Sequence, residues 1–166
     1  MSESFCVVCG KKLNSEEIHN HYLKELSKKF SKEGFKIIEE GKMPSKFSYE
    51  PDLFILDKQN YLASVLEVIV TDNYETGETS VYRKCKKIKE YYNPPEIIVY
   101  EPAEYLDKVH LPRTRKYWKK VLGYEPTSYK QIEKYYYEKW KNEGLNVTFW
   151  NEEHLKEEQR KKVFKP

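Results

Sequence analysis

The stretch from Glu50 to Thr71, EPDLFILDKQNYLASVLEVIVT, constrains this chain more than any other. It reads as two apolar strands joined by the polar turn DKQN. Each strand carries one carboxylate among residues that suit a buried sheet. Asp52 opens the first strand, directly after Pro51. Glu67 stands inside the second, walled by Val65, Leu66, Val68, Ile69 and Val70. A charge in such a run is costly to bury unless it is paired or binds metal. The pair therefore points to a shared task, the holding of a divalent cation. The plainer readings are a turn residue after proline for Asp52 and an edge-strand charge that blocks aggregation for Glu67.

The rest of the composition narrows the class. A chain of 166 residues, 39% hydrophobic and 34% charged, suits one globular domain with a small appendage. No apolar run approaches a membrane span, and MSESFCVVCGKK lacks the basic start and long apolar core of a signal peptide. The expected location is therefore intracellular and cytoplasmic, with no membrane partner. A net charge of +3 leaves no basic tail that would announce nucleic acid by itself. Three cysteines, an odd number, argue against a disulfide framework.

Three segments are expected: a Cys-rich knuckle over 1–14, a core over 15–103, and an α-rich extension over 104–166 packed on that core. In the knuckle, Cys6 and Cys9 form CxxC ahead of Gly10, and His19 and His21 follow. Thiolates and imidazoles this close suit zinc, so these four are candidate zinc ligands. The gap is shorter than a zinc finger uses, and HxH sends the two rings to different sides of a helix. The competing reading is an ordinary CxxC with unrelated histidines.

A helix follows from Ser15 to Gly34, with apolar positions Ile18, Tyr22, Leu23, Leu26 and Phe30 at helical spacing. Glu16 and His19 border that stripe, whereas Glu17 and His21 point away. Glu16 is thus the carboxylate expected to face the sheet. Strands are expected at 35–40, PDLFILD and ASVLEVIVT, the last two antiparallel. A second helix spans SVYRKCKKIKEYYN, with Val81, Cys85, Ile88 and Tyr92 inward, so Cys85 is a small buried residue. EIIVYEP is a fourth strand, parallel to its predecessor because a helix lies between them. Beyond it come a helix or turn over AEYLDKVH, a basic aromatic stretch, a helix over SYKQIEKYYYEKWKNEG, a fifth strand LNVTFW, and a closing helix capped by Asn151.

The order helix, strand, strand, strand, helix, strand, with Pro51-Asp52 and Glu67-Val68-Ile69 where they stand, resembles the PD-(D/E)XK nuclease superfamily over about residues 15–102. The resemblance implies an α/β restriction-endonuclease-like core: a mixed central sheet flanked by helices, here with a helical C-terminal extension. It also implies a metal-dependent nuclease hydrolysing phosphodiester bonds, in DNA ahead of RNA, as a Mg²⁺- or Mn²⁺-dependent endo- or exodeoxyribonuclease. Asp52, Glu67 and the main-chain carbonyl of Val68 would bind the cation, and Glu16 would assist. Zn²⁺ is the further candidate cofactor, at the knuckle. The superfamily's lysine stands two residues after the glutamate, where this chain has Ile69. Some members move that lysine to the following helix, which nominates Lys84 and Lys87. A bacterial branch with Glu-Val-hydrophobic-Ser/Thr and a helical Lys-x-x-x-Tyr is also similar, with Thr71 near its hydroxyl position and Lys87 preceding Tyr91.

Nucleic-acid contacts need cations and flat rings. Arg113, Arg115, Lys116 and Lys119, interleaved with Tyr117 and Trp118, supply them. For Tyr135–Tyr137 and Trp140, core packing is the favoured reading. The expected partners are nucleic acid and, for cleavage geometry, a second copy of the chain. The alternative function is a catalytically inactive nucleic-acid-binding protein of the same fold with a zinc knuckle.

Overall fold

A computed structural model describes residues 4–5, 12–13, 15–39, 51–70, 74 and 80–155. Two short strands, β1 (Ser4–Phe5) and β2 (Lys12–Leu13), pair antiparallel at the N-terminus. Cys6 and Cys9 lie outside the described residues, and so does Thr71.

Helix α1 (Ser15–Lys32) carries Glu16 and Glu17 in its first turn and Lys29 and Lys32 in its last, each complementing the helix dipole. Gly34, at φ 93°, ends it in the left-handed conformation that a side chain would disfavour. Strands β3 (Lys36–Glu39), β4 (Leu53–Leu56) and β5 (Leu62–Val68) form an antiparallel meander. The β4–β5 turn is tied by the Asp57 carboxylate, which accepts from the backbone N–H groups of Gln59 and Tyr61 at 2.9 Å. Both carboxylate-bearing positions differ slightly from expectation. Asp52 lies in a bend just ahead of β4, and Glu67 is the penultimate residue of β5 rather than its middle. Both therefore sit at one end of the sheet.

Helix α2 (Val81–Tyr92) begins at Ser80, whose Oγ accepts from Arg83 N, and ends at Asn93, φ 43°, before two prolines. It is the crossover that makes β6 (Ile97–Tyr100) parallel to β5. All four β6 residues are buried, as befits a central parallel strand. The chain then runs through α3 (Ala103–Tyr105), a π-helical turn (Leu106–His110) and α4 (Leu111–Leu122), with Pro112 in the first turn of α4, where a missing N–H costs nothing. Helix α5 (Tyr129–Asn142) leads to β7 (Val147–Trp150), parallel to β6. Residues 152–155 form a helical turn capped by Asn151, whose side chain accepts from Glu153 N.

The result is an α/β fold with a five-stranded mixed open sheet in the order β3-β4-β5-β6-β7. The chain beyond residue 103 is thus more than a helical extension, since it supplies the β7 edge. Tyr100 and Trp150 are register partners, and side chains alternate along a strand. Helix α1 covers their face, with Tyr22 5.2 Å from Tyr100 and Phe30 stacked 5.5 Å from Trp150. Helices α2 and α5 cover the other face, where Tyr92 meets Phe54 and Trp140 meets Phe149. Among the described residues, no helix is long and apolar enough to cross a membrane.

Candidate functional site

Three residues converge at the sheet end: His19 of α1, Asp52 just ahead of β4, and Glu67 of β5. Asp52 and Glu67 are 6% and 4% exposed. The carboxylates are cross-tied to main-chain groups: Asp52 N–H donates to Glu67 Oε1 at 2.9 Å, and the N–H of Val68, directly after Glu67, donates to Asp52 Oδ2 at 2.9 Å. His19 of α1 adds a third contact, its Nε2 standing 3.1 Å from Asp52 Oδ2. A carboxylate only accepts, so the imidazole Nε2–H is the donor. That hydrogen bond is the main cause holding the His19 pKa above the usual imidazole range. Burial opposes it, and the charges of Asp52 and, more weakly, Glu67 reinforce it. His19 Nδ1 lies 3.4 Å from Asn20 Oδ1, so both ring nitrogens face acceptors, an arrangement that suits an imidazolium.

Register explains how opposite layers meet here. Glu67 pairs with Val99 and Val99 with Phe149, which places Glu67 on the α2–α5 face. Its charge is felt by the buried Cys85 thiol of α2, whose pKa burial pushes up strongly. Cys85 is therefore an inert packing residue, as its place in the apolar stripe predicts. His19 comes from the other layer and reaches Asp52 around the end of β4.

The remaining site candidates fall elsewhere. Glu16 is exposed and makes no contact with this cluster; His19 holds the place expected of it. His21 does not point away as helical phase suggested. It is half-buried and meets Tyr22 edge-on. With His19 turned to Asp52, the two histidines do not face a common point. Lys84 and Lys87 are both half-buried on α2, and among the described residues neither pairs with Asp52 or Glu67. Arg113, Arg115, Lys116 and Lys119 are all exposed on α4, as is Tyr117, whereas Trp118 is buried. Trp140 and Tyr136 are core residues, while Tyr137 is 38% exposed.

A second group of buried acids escaped the sequence reading. Tyr74 is fully packed, stacked on Tyr136 at 4.8 Å with a 1° interplanar angle, and its hydroxyl donates to Glu101 Oε2. Glu101 directly follows β6 and is wholly buried. Glu133 of α5 is 7% exposed, and burial, reinforced by Asp107 and Glu152, pushes its pKa up to about 8. The available signals were an aromatic in the polar run TDNYETGET and a glutamate beside the α5 apolar stripe.

Among the described residues, no group of three or more His, Cys, Asp and Glu side chains is arranged to hold a metal ion unaided. Carboxylate oxygens are the hard donors that a cation keeping several of its waters would take. Asp52 spends Oδ2 on both of its contacts described above, which leaves Oδ1 outside them. Comparison with protein-family models, curated proteins and solved structures returns no match, so the site is read from its own geometry.

Proposed function

We propose that this chain is a metal-dependent nuclease of the restriction-endonuclease-like class, hydrolysing phosphodiester bonds in DNA ahead of RNA. The observation that carries the reading is the convergence of two buried carboxylates, Asp52 and Glu67, at one sheet end beneath a histidine. Here a main-chain N–H holds one oxygen of each carboxylate and the His19 imidazole adds a contact to Asp52, which fixes both acids in place as hard oxygen donors.

In this reading Asp52, Glu67 and the Val68 carbonyl would hold Mg²⁺ or Mn²⁺, which neutralises developing phosphorane charge and lowers the pKa of an attacking water. His19 orients Asp52 through the Nε2–H contact. The Val68 N–H fixes the same oxygen from the strand side. The exposed α4 cations supply phosphate contacts. Ile69 stands where the class carries its lysine, and this position favours the second reading, a non-catalytic nucleic-acid-binding protein of the same architecture.

The test is incubation with supercoiled plasmid, linear duplex and single strands in Mg²⁺, Mn²⁺ or EDTA, beside Asp52→Ala and Glu67→Ala. Metal-dependent cleavage lost in both variants supports the nuclease. Cleavage that survives both substitutions removes the site assignment. Salt-sensitive binding without cleavage selects the binding protein.

A further inference from the structure

A cavity of about 490 Å³ opens between α5 and β7, away from the carboxylate pair. Its size falls in the range of small-molecule sites. Its lining combines three kinds of chemistry. Tyr137 and Phe149 offer ring faces, and Tyr137 is exposed enough to receive a partner. Lys134 stands exposed in the wall, while Lys130 pairs with Glu153 at 3.2 Å. Glu133 and His154 supply hydrogen-bonding groups.

Those two groups have definite polarity. His154 Nδ1 accepts from Asn151 N–H at 3.0 Å, so the proton of the neutral ring sits on Nε2 as a donor. The ring is held flat on Trp150, 5.1 Å away with a 2° interplanar angle. Glu133 is more than nine-tenths buried, and its Oε1 has no hydrogen-bond partner among the described residues. At neutral pH its carboxyl carries a proton, because burial beside Asp107 and Glu152 favours the uncharged form. A protonated carboxyl presents one donor beside one acceptor.

We propose that this cavity binds one unstacked nucleotide, its base against the Tyr137 ring and paired to Glu133, with Lys134 serving the phosphate. A donor beside an acceptor complements the edge of adenine or cytosine, where an amino group adjoins a bare ring nitrogen. Guanine, which offers two adjacent donors, suits an ionised carboxylate instead. The nucleotide has two sources, a free monophosphate or an extruded unit of a longer strand. The strand source has a structural rationale. Phe149 lies in register with Glu67 across β6, two strand spacings or about 10 Å away. The inference stands on the cavity alone and does not require cleavage at Asp52 and Glu67.

The experiment is calorimetric titration of the full chain with AMP, CMP and GMP, then with short single strands of dA, dC and dG, beside Tyr137→Ala, Glu133→Gln and Glu133→Ala. Expected is saturable binding of adenine or cytosine compounds, weakened about tenfold by Tyr137→Ala, a typical loss for one stacked base. Glu133→Gln, which keeps a donor and an acceptor, retains binding, and Glu133→Ala loses it. Binding by monophosphates identifies the free nucleotide. Binding by strands alone, with the same variant pattern, identifies the extruded unit. Absence of binding in both series overturns the proposal. So does binding that Tyr137→Ala leaves unchanged, or guanine binding as tight as adenine and cytosine. Tyr137 is partly exposed, so its variant separates lost stacking from lost folding.

Discussion

The molecule buries carboxylates in two places by opposite means. Beside α1, Asp52 and Glu67 are surrounded by donors: two main-chain N–H groups and the His19 imidazole. Beneath α5, Glu133 faces Asp107 and Glu152, like charges that reinforce burial and hold a proton on it up to about 8. Depth of burial is nearly the same in the two regions, at 4–7% exposure. What differs is the sign of the neighbours. Donors hold a carboxylate's oxygens in fixed directions, whereas like charges beside a buried one turn it into a neutral hydrogen-bonding group. The two regions therefore suit different ligands.

The largest expected effect breaks the donor-lined side. Asp52→Ala or Glu67→Ala abolishes metal-dependent cleavage in the plasmid assay, while His19→Ala lowers the rate about 10- to 100-fold, the usual cost of losing a group that orients a ligand. His19→Gln, which keeps a donor, recovers part of that loss. Equal effects at His19 and Asp52 would place the histidine in direct contact with substrate or metal. Next in size is the acid-rich side. Tyr74→Phe removes the donor to wholly buried Glu101 and is expected to destabilise the fold by about 1–3 kcal/mol, measured by denaturant titration.

Glu133 sharpens the contrast through pH. Its folded pKa is raised, so between the ordinary carboxylate value of 4.5 and about 8 the folded state binds more protons than the unfolded chain. Stability must then fall as pH rises across that interval. Melting temperatures of Glu133→Gln should show a flatter profile there than the parent. Parallel profiles would assign the slope to other groups. The smallest effect lies on the exposed face of α4. Arg115→Ala should weaken DNA binding irrespective of sequence and reduce the log–log salt slope by about 0.9, with no change in melting temperature.

Much of the α1 side was legible in the sequence. Pro51-Asp52, the DKQN turn and the apolar walls around Glu67 are local signals, and they locate the hairpin and its two acids. Helical phase placed both Glu16 and His19 at the border of the α1 stripe. It could not say which of them meets the sheet, because periodicity fixes rotation about a helix axis and not position along it. His19 met Asp52, and Glu16 stayed in solvent. The α5 side was nearly illegible. Tyr74 and Glu101 stand 27 residues apart, and nothing local to either position names the other. Likewise Glu133 gains its character from burial and from Asp107 and Glu152, which come from separate elements.

The place of β7 has a consequence for how the chain is made. β6 emerges from the ribosome well before the strand that will cover its outer edge, and α3, α4 and α5 must be synthesised in between. Until Val147–Trp150 arrives, the wholly apolar Ile97–Tyr100 strand presents open backbone groups on one side. Such an edge invites pairing with another nascent chain. The arrival of β7 thus decides whether the sheet closes on itself or on a neighbour.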